Sequence, residues 1–261
     1  MRLLFIRHGD PDYEHDTLTE KGIREAICLA DHIGTLKIDE AYQSPLGRAQ
    51  RTAEYSLKKL GMTAETLDWL REFPAVIDPG VSKEAHKAFP SHELWWDKKA
   101  ERYIPRIMWD VMPAYYGEHP ELFDREGWRE SKLVQESNMV ETYDRVRECF
   151  LTFLSEHGYR KDGELFVAEA NNEQTIAFFC HYGITSVLMS ILWNTSPFIP
   201  LQYMATAPTS VTELVTEERQ KGIAIFRALR IGDTTHLTIA GEEPSFSARF
   251  CERFENEDQR H

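Results

Sequence analysis

Apolar residues fall along this chain in short solid runs and in longer, regularly spaced stripes. The first run, Arg2-Leu3-Leu4-Phe5-Ile6-Arg7, is entered and left by arginine. Continuous apolarity over so few residues predicts a central strand covered on both faces, not an alternating edge strand. It exits into His8-Gly9-Asp10-Pro11, a polar turn with a permissive glycine and a proline. Thr19 then offers a helix cap, and Ile23, Ala26, Ile27, Ala30 and Ile33 fall on one face at helical spacing. A short apolar stretch near Ala41-Tyr42 ends at Ser44-Pro45, which predicts a helix with serine at the cap and proline in its first turn. Ala49, Ala53, Leu57 and Leu60 supply its buried stripe, and Gly61 stops it. A weak third strand covers residues 64–67. Strand, helix, strand, helix, with polar residues at the strand exits, predicts an α/β layer fold whose ligands sit beyond the carboxyl ends of the strands.

Residues 74–135 break the rhythm. Seven aromatics lie between Phe89 and Tyr116, Phe123 and Trp128 follow, and prolines at 79, 90, 105, 113 and 120 forbid long helices, with room for one over 93–103. The segment is expected to be a lid-like insertion within a single domain spanning 1–261; the competing expectation is an extra layer of core helices. The regular pattern resumes with a helix over 138–154, buried through Tyr143, Val146, Phe150 and Phe153. Residues 164–169 and 174–181 read as a hairpin turning at Asn171-Asn172. A helix over 183–193 and two late strands, 211–216 and 223–231, complete the pattern, and the polar tail from Glu252 is expected to fray.

Composition narrows the function classes. The chain has 261 residues, 42% hydrophobic and 28% charged, with 43 acidic against 30 basic side chains for a net charge of −13. A field of that sign repels nucleic-acid backbones and anionic membranes, so neither is an expected partner. The longest apolar candidate, residues 183–193, is too short to span a bilayer. The 4 cysteines are widely separated and include no C-x-x-C pair, which favours free thiols and a cytoplasmic location over a disulfide framework. A homodimer is one of the oligomeric states the sequence leaves open.

Two solid apolar strands end in histidine, at Arg7-His8-Gly9 and at His181-Tyr182-Gly183. A strand-end histidine beside glycine places an imidazole where little bulk blocks a ligand. Arg7, at the end of a buried strand, must reach solvent or meet an anion, since an unpaired buried guanidinium is costly. Arg48, in the first turn of the second helix, adds a second fork beside free helix amides. Phosphoryl transfer needs these parts: fixed positive donors on the phosphoryl oxygens, an in-line nucleophile and a proton for the leaving alcohol. Glu72 is the candidate proton donor, with Asp10 and Asp12 as alternatives. No C-x-x-C or H-E-x-x-H spacing suggests a metal site.

These motifs, in this order, resemble the histidine phosphatase superfamily, also called the phosphoglycerate-mutase-like family. The resemblance rests on Arg7-His8-Gly9, Leu18-Thr19-Glu20-Lys21-Gly22, Ser44-Pro45-Leu46-Gly47-Arg48-Ala49 with Thr52-Ala53, Leu70-Arg71-Glu72, His181-Tyr182-Gly183 and Asp233-Thr234-Thr235-His236-Leu237. It implies a three-layer α/β/α sandwich with a mostly parallel central sheet, carrying 74–135 as a helical, aromatic-rich insertion. His8 is then the nucleophile that forms a phosphohistidine. Arg7, Arg48 and His181, with Gly9 and Asp12, bind the substrate, and Glu72 protonates the leaving group and activates water, with no metal or other cofactor. Asp10-Pro11-Asp12-Tyr13 departs from the mutase continuation of the first motif, and no clear Arg-Arg pair serves a second carboxylate. Tyr182 stands where the acid-phosphatase branch has aspartate. The expected activity is therefore phosphomonoester hydrolysis on a small phosphorylated metabolite. A mutase-type phosphotransferase and a catalytically idle phosphate-binding module are the alternatives.

Overall fold

The computed structural model describes residues 1–170, 172–247, 253, 255 and 256. In chain order the principal elements are β1 (Arg2–Arg7), α1 (Glu20–His32), β2 (Glu40–Gln43), α2 (Gly47–Leu60), β3 (Glu65–Thr66), α3 (Met139–Glu156), β4 (Tyr159–Asp162), β5 (Leu165–Ala168), β6 (Thr175–Cys180), α4 (Tyr182–Trp193), β7 (Val211–Gln220), β8 (Ile223–Asp233) and α5 (Thr235–Ala240). They fall into two compact units. One comprises Met1–Glu72, Phe153–Thr185 and Ala205–His261; the other comprises Phe73–Thr152 and Ser186–Met204.

The first unit is built on an eight-stranded sheet in the order β4-β5-β8-β7-β1-β6-β2-β3. The two solid apolar runs are its central strands: Leu3, Leu4, Phe5 and Ile6 are at most 1% exposed, and every residue of β6 is buried. Helices α1 and α2 pack together over a core of Leu4, Ile6, Leu29, Ile33, Ala53, Leu57, Ala177 and Phe179. The parallel register of β1 and β6 sets Arg7 opposite Cys180, so His8 and His181 leave the sheet side by side. The His8 amide donates to the Cys180 carbonyl at 3.0 Å and closes the junction.

The α/β class is as expected, but the sheet is mixed. Parallel pairing joins β1, β6, β2 and β3, whereas β7, β8, β5 and β4 are linked by antiparallel pairing. Two tight connections explain the difference. Lys221-Gly222 joins β7 to β8, and Gly163-Glu164 joins β4 to β5; both glycines take positive φ, and turns this short can only return the chain antiparallel. The expected hairpin between 164–169 and 174–181 does not form. β5 pairs with β4 and β8, while β6 lies between β1 and β2, the place its two-sided apolarity demands. Of that expected turn, Asn171 lies outside the described residues, as does most of the tail from Glu252 with Cys251.

Smaller departures have local causes. Helix α1 is capped by Thr19, whose hydroxyl accepts from the Gly22 amide, but Leu29 takes the inward place expected of Ile27, which is 44% exposed. Helix α2 begins at Gly47 with Leu46 at the cap position, not at Pro45, and the Ser44 hydroxyl is engaged by the Leu46 amide and by His181. Gly61 ends α2 in the left-handed region as expected.

The second unit holds no helix over 93–103. Asp97 instead accepts from the Lys99 and Ala100 amides, a turn that reverses the chain so that Trp96–Asp97 pairs with Arg102–Tyr103. Most of its aromatics are its own core. Trp128 packs edge-on against Tyr143 and Phe198, and Tyr116 lies against Phe123 and Phe198. Trp95 and Trp96, each about half exposed, and Tyr203, 71% exposed, are exceptions.

Gly9 and Gly22 let the first strand exit lie directly on α1. A Cβ at Gly22 would stand 2.2 Å from the Asp10 carbonyl, and one at Gly9 would stand 2.7 Å from the Gly22 carbonyl. Neither backbone can yield cheaply, so Gly22→Ala is expected to lower the unfolding free energy by about 2–3 kcal/mol. Urea denaturation measures this, and Gly34→Ala, where a Cβ meets nothing within 4 Å, is the control.

Candidate active site

Of the residues singled out from sequence, His8, His181, Arg7 and Arg48 converge at the carboxyl ends of β1 and β6, within the first unit. His8 and His181 are 2% and 0% exposed, and their ring centroids lie 5.0 Å apart. His8 Nδ1 is 2.7 Å from the Gly9 carbonyl oxygen, a contact that only a protonated nitrogen can make. The imidazole is thereby fixed as the Nδ1–H tautomer, with its lone pair on Nε2. Arg48 Nε–H points to that lone pair over 3.4 Å. Burial, then the charges of Arg7 and Arg48, hold the His8 pKa well below its ordinary value, so the ring is neutral near pH 7.

His181 is held the same way. Burial comes first, followed by the fields of His8, Arg48 and Arg7, and its pKa also falls well below the ordinary value. Its Nε2 lies 2.7 Å from the Ser44 hydroxyl. That hydroxyl accepts from the Leu46 amide at 3.1 Å; when it gives its own proton to Nε2, the ring proton of His181 stands on Nδ1. His181 Nδ1 is buried with no hydrogen-bond partner among the described residues, and so is Arg7 Nε. Arg7 donates through Nη1 to the Thr206 and Ser247 carbonyls, 3.0 Å in the second case, which anchors one corner of the guanidinium. Two buried donors without acceptors, beside a neutral imidazole, are an unfilled place for an anion.

The carboxylates sort into different roles. Glu72 Oε1 accepts from the Ile184 amide at 3.1 Å, which places its carboxyl at the N-terminus of α4, where it also feels the charge of Arg7. Asp10 is structural: it accepts from the hydroxyls of Thr19 and Ser245. Asp12 accepts from the Glu14 and His15 amides and from His15 Nδ1, which ties its carboxylate into its own loop and accounts for its lowered pKa. Gly9 serves by its backbone, its amide donating to Thr52 Oγ1 at 2.9 Å. Among the described residues no three His, Cys, Asp or Glu side chains group as a metal site, and Cys28, Cys149 and Cys180 are free thiols.

Three further contributors are not among the candidate site residues: Asp16 lies outside every motif, while Ser44 and His236 lie inside motifs that give them no role at the site. Asp16 joins Arg48 at 2.7 Å. Ser44, read from sequence as a helix cap, is the partner of His181. His236 Nε2 lies 3.0 Å from Thr209 Oγ1, and the Thr209 amide donates to the His8 carbonyl.

Residues 3–111 match the family described as the histidine phosphatase superfamily, branch 1. Over this segment the chain is similar to the histidine phosphatase superfamily. A 2,3-bisphosphoglycerate-dependent phosphoglycerate mutase of Bartonella quintana is 38% identical over 72 residues, which is 23% of this chain and 35% of that protein. The chain thus spans about a third of the length of that curated relative. Two solved structures share the fold, each with a TM-score of 0.56 and 16% identity, covering 90% of this chain and 98% of theirs. One is a mutant phosphoserine phosphatase from Entamoeba histolytica in complex with phosphoserine; the other is a mycobacterial glucosyl-3-phosphoglycerate phosphatase in complex with inorganic phosphate. No helix among the described residues is long and apolar enough to cross a membrane.

The buried histidines make this protein acid-sensitive. The pKa of His236 falls from 6.5 to about 4, chiefly through burial. The unfolded chain therefore binds a proton that the folded one does not as pH drops from 6.5 towards 4, so stability is full above that window and declines within it. His236 alone accounts for a loss on the order of 3 kcal/mol by pH 4. Urea unfolding at a series of pH values is expected to show this decline, and His236→Gln is expected to flatten it.

Proposed function

We propose that this protein hydrolyses phosphomonoesters of small metabolites through a phosphohistidine on His8. One observation carries the reading. A neutral His8, fixed with its lone pair on Nε2, stands beside two buried groups, Arg7 Nε and His181 Nδ1, that have no hydrogen-bond partner among the described residues. A bound phosphoryl group supplies the missing acceptors, and three fixed donors (Arg7, Arg48 and His181) suit the three equatorial oxygens of an in-line transfer.

In the first step the Nε2 lone pair of His8 forms a bond to phosphorus as the bond to the ester oxygen breaks. The leaving alkoxide takes a proton from the Glu72 carboxyl group. In the second step Glu72, now a carboxylate, removes a proton from water. That water attacks phosphorus, and the N–P bond breaks to regenerate neutral His8 and release inorganic phosphate. The Gly9 carbonyl contributes throughout, since its hydrogen bond with Nδ1–H steadies the positive charge the ring gains when phosphorylated. No step asks anything of Asp12, whose carboxylate is spent within its loop.

Hydrolysis is favoured over transfer to a second site on the same substrate. Such transfer needs cationic groups for a second anionic arm, and the loop after Gly9 presents Asp10, Asp12, Glu14 and Asp16. The mutase relative keeps transfer as the competing outcome, and steady release of inorganic phosphate from p-nitrophenyl phosphate separates the two.

His8→Ala is expected to abolish acid-labile phosphate incorporation while leaving the circular dichroism spectrum intact; labelled phosphate still bound covalently would remove His8 as the nucleophile. Glu72→Gln is expected to slow turnover by about 100-fold or more with alkyl phosphates but far less with p-nitrophenyl phosphate, whose leaving group barely needs a proton. Equal losses on both would take the acid role from Glu72.

A further inference from the structure

Resting on that reading of the site, we propose that Asp16 is a positioning residue that fixes which edge of the Arg48 guanidinium faces the phosphoryl group. Asp16 sits just before Thr17-Leu18, outside every sequence motif used above. Its two carboxylate oxygens are divided between neighbours in α2: Oδ2 accepts from the Gly47 amide at 2.7 Å, and Oδ1 accepts from Arg48 Nη1 at 2.7 Å. One carboxylate thus caps the helix that carries Arg48 and grips the far corner of the guanidinium.

The geometry of guanidinium makes this grip directional. Nε and Nη2 form one donor edge, and Nη1 stands at the opposite corner. With Nη1 held by Asp16, Nε lies 3.4 Å from His8 Nε2, so the Nε edge is the one turned to the nucleophile. Without Asp16 the side chain is free to rotate, and Arg48 loses the pre-set orientation on which bidentate recognition depends.

The backbone indicates that this contact is enforced. Asp16 takes φ 47°, in the left-handed region that costs most side chains energy, although Asp and Asn tolerate it best. The loop also presses on α2 so closely that a Cβ at position 47 would lie 2.2 Å from the Asp16 carbonyl oxygen. A glycine at the first position of α2 and a left-handed aspartate together allow one carboxylate to reach both donors.

Asp16→Asn is the informative variant, because asparagine keeps the left-handed backbone but can offer only one acceptor oxygen. In the wild-type background it is expected to lower kcat/KM for p-nitrophenyl phosphate by about 10- to 100-fold. In an Arg48→Ala background it is expected to change kcat/KM by less than about twofold, since nothing is left to position. Equal factors in both backgrounds would overturn the proposal and mark Asp16 as purely structural. The second readout does not depend on turnover. In 15N-arginine-labelled protein the Arg48 Nε–H signal, assigned by its loss in Arg48→Ala, is expected to exchange slowly with solvent in the wild type and rapidly in Asp16→Asn. An equally protected signal in the variant would contradict the positioning role. A wild-type protein that exchanges Arg48 Nε–H slowly yet releases no phosphate would remove the hydrolase reading, and the Asp16→Asn signal would still decide the role of Asp16.

Discussion

The pairing of β1 with β6 is the constraint on which the rest of the site depends. Parallel neighbours in register deliver the residues after Arg7 and Cys180 to the same rung, so two histidines 173 positions apart in the chain stand with their rings 5.0 Å apart. Both strands are buried on both faces, so a one-residue slip would exchange the side chains packed on each face and disturb the close-packed core on both sides. Gly9 and Gly22 complete the junction by letting the turn after His8 press onto α1 without side chains between them. Burial then sets the chemistry: the same packing that fixes the register removes His8 and His181 from water and keeps both rings neutral.

The overall charge of −13 and the positive character of the site are not in conflict. Buried guanidiniums are felt at short range with little screening, whereas most of the acidic side chains are solvated. Arg7 and Arg48 are 3% and 9% exposed, and each is anchored at one corner, Arg7 by main-chain carbonyls and Arg48 by Asp16. Anchoring at one corner leaves another edge directed inward. This turns flexible side chains into fixed donors, which is what stabilisation of a transferring phosphoryl group requires.

Much of this was legible in the chain because it depends on local pattern. Solid apolar runs mark central strands, so Arg7-His8-Gly9 and His181-Tyr182-Gly183 could be placed at strand exits, and Thr19 and Gly61 could be placed at helix ends. The antiparallel half of the sheet was not legible in the same way. The turns that reverse β4 and β7 are two residues long, and the apolar run of β6 looks alike whether its partner is β5 or β1. Partnerships made by polar residues were harder still. Ser44 has the signature of a helix cap but serves His181, and Asp16 stands in an acidic loop where Asp12 looks equally suitable. Which of those carboxylates meets Arg48 depends on how far the loop reaches, a property of the folded backbone and not of spacing.

Everything at the site turns on a neutral His8 imidazole with its proton on Nδ1 and its lone pair on Nε2. Two-dimensional 15N–1H correlation of the histidine side chains across pH 6–8 tests it directly. The His8 ring, assigned by its disappearance in His8→Ala, is expected to show a protonated Nδ1 and an unprotonated Nε2 throughout that range. An imidazolium signal, or a proton on Nε2, would contradict the account.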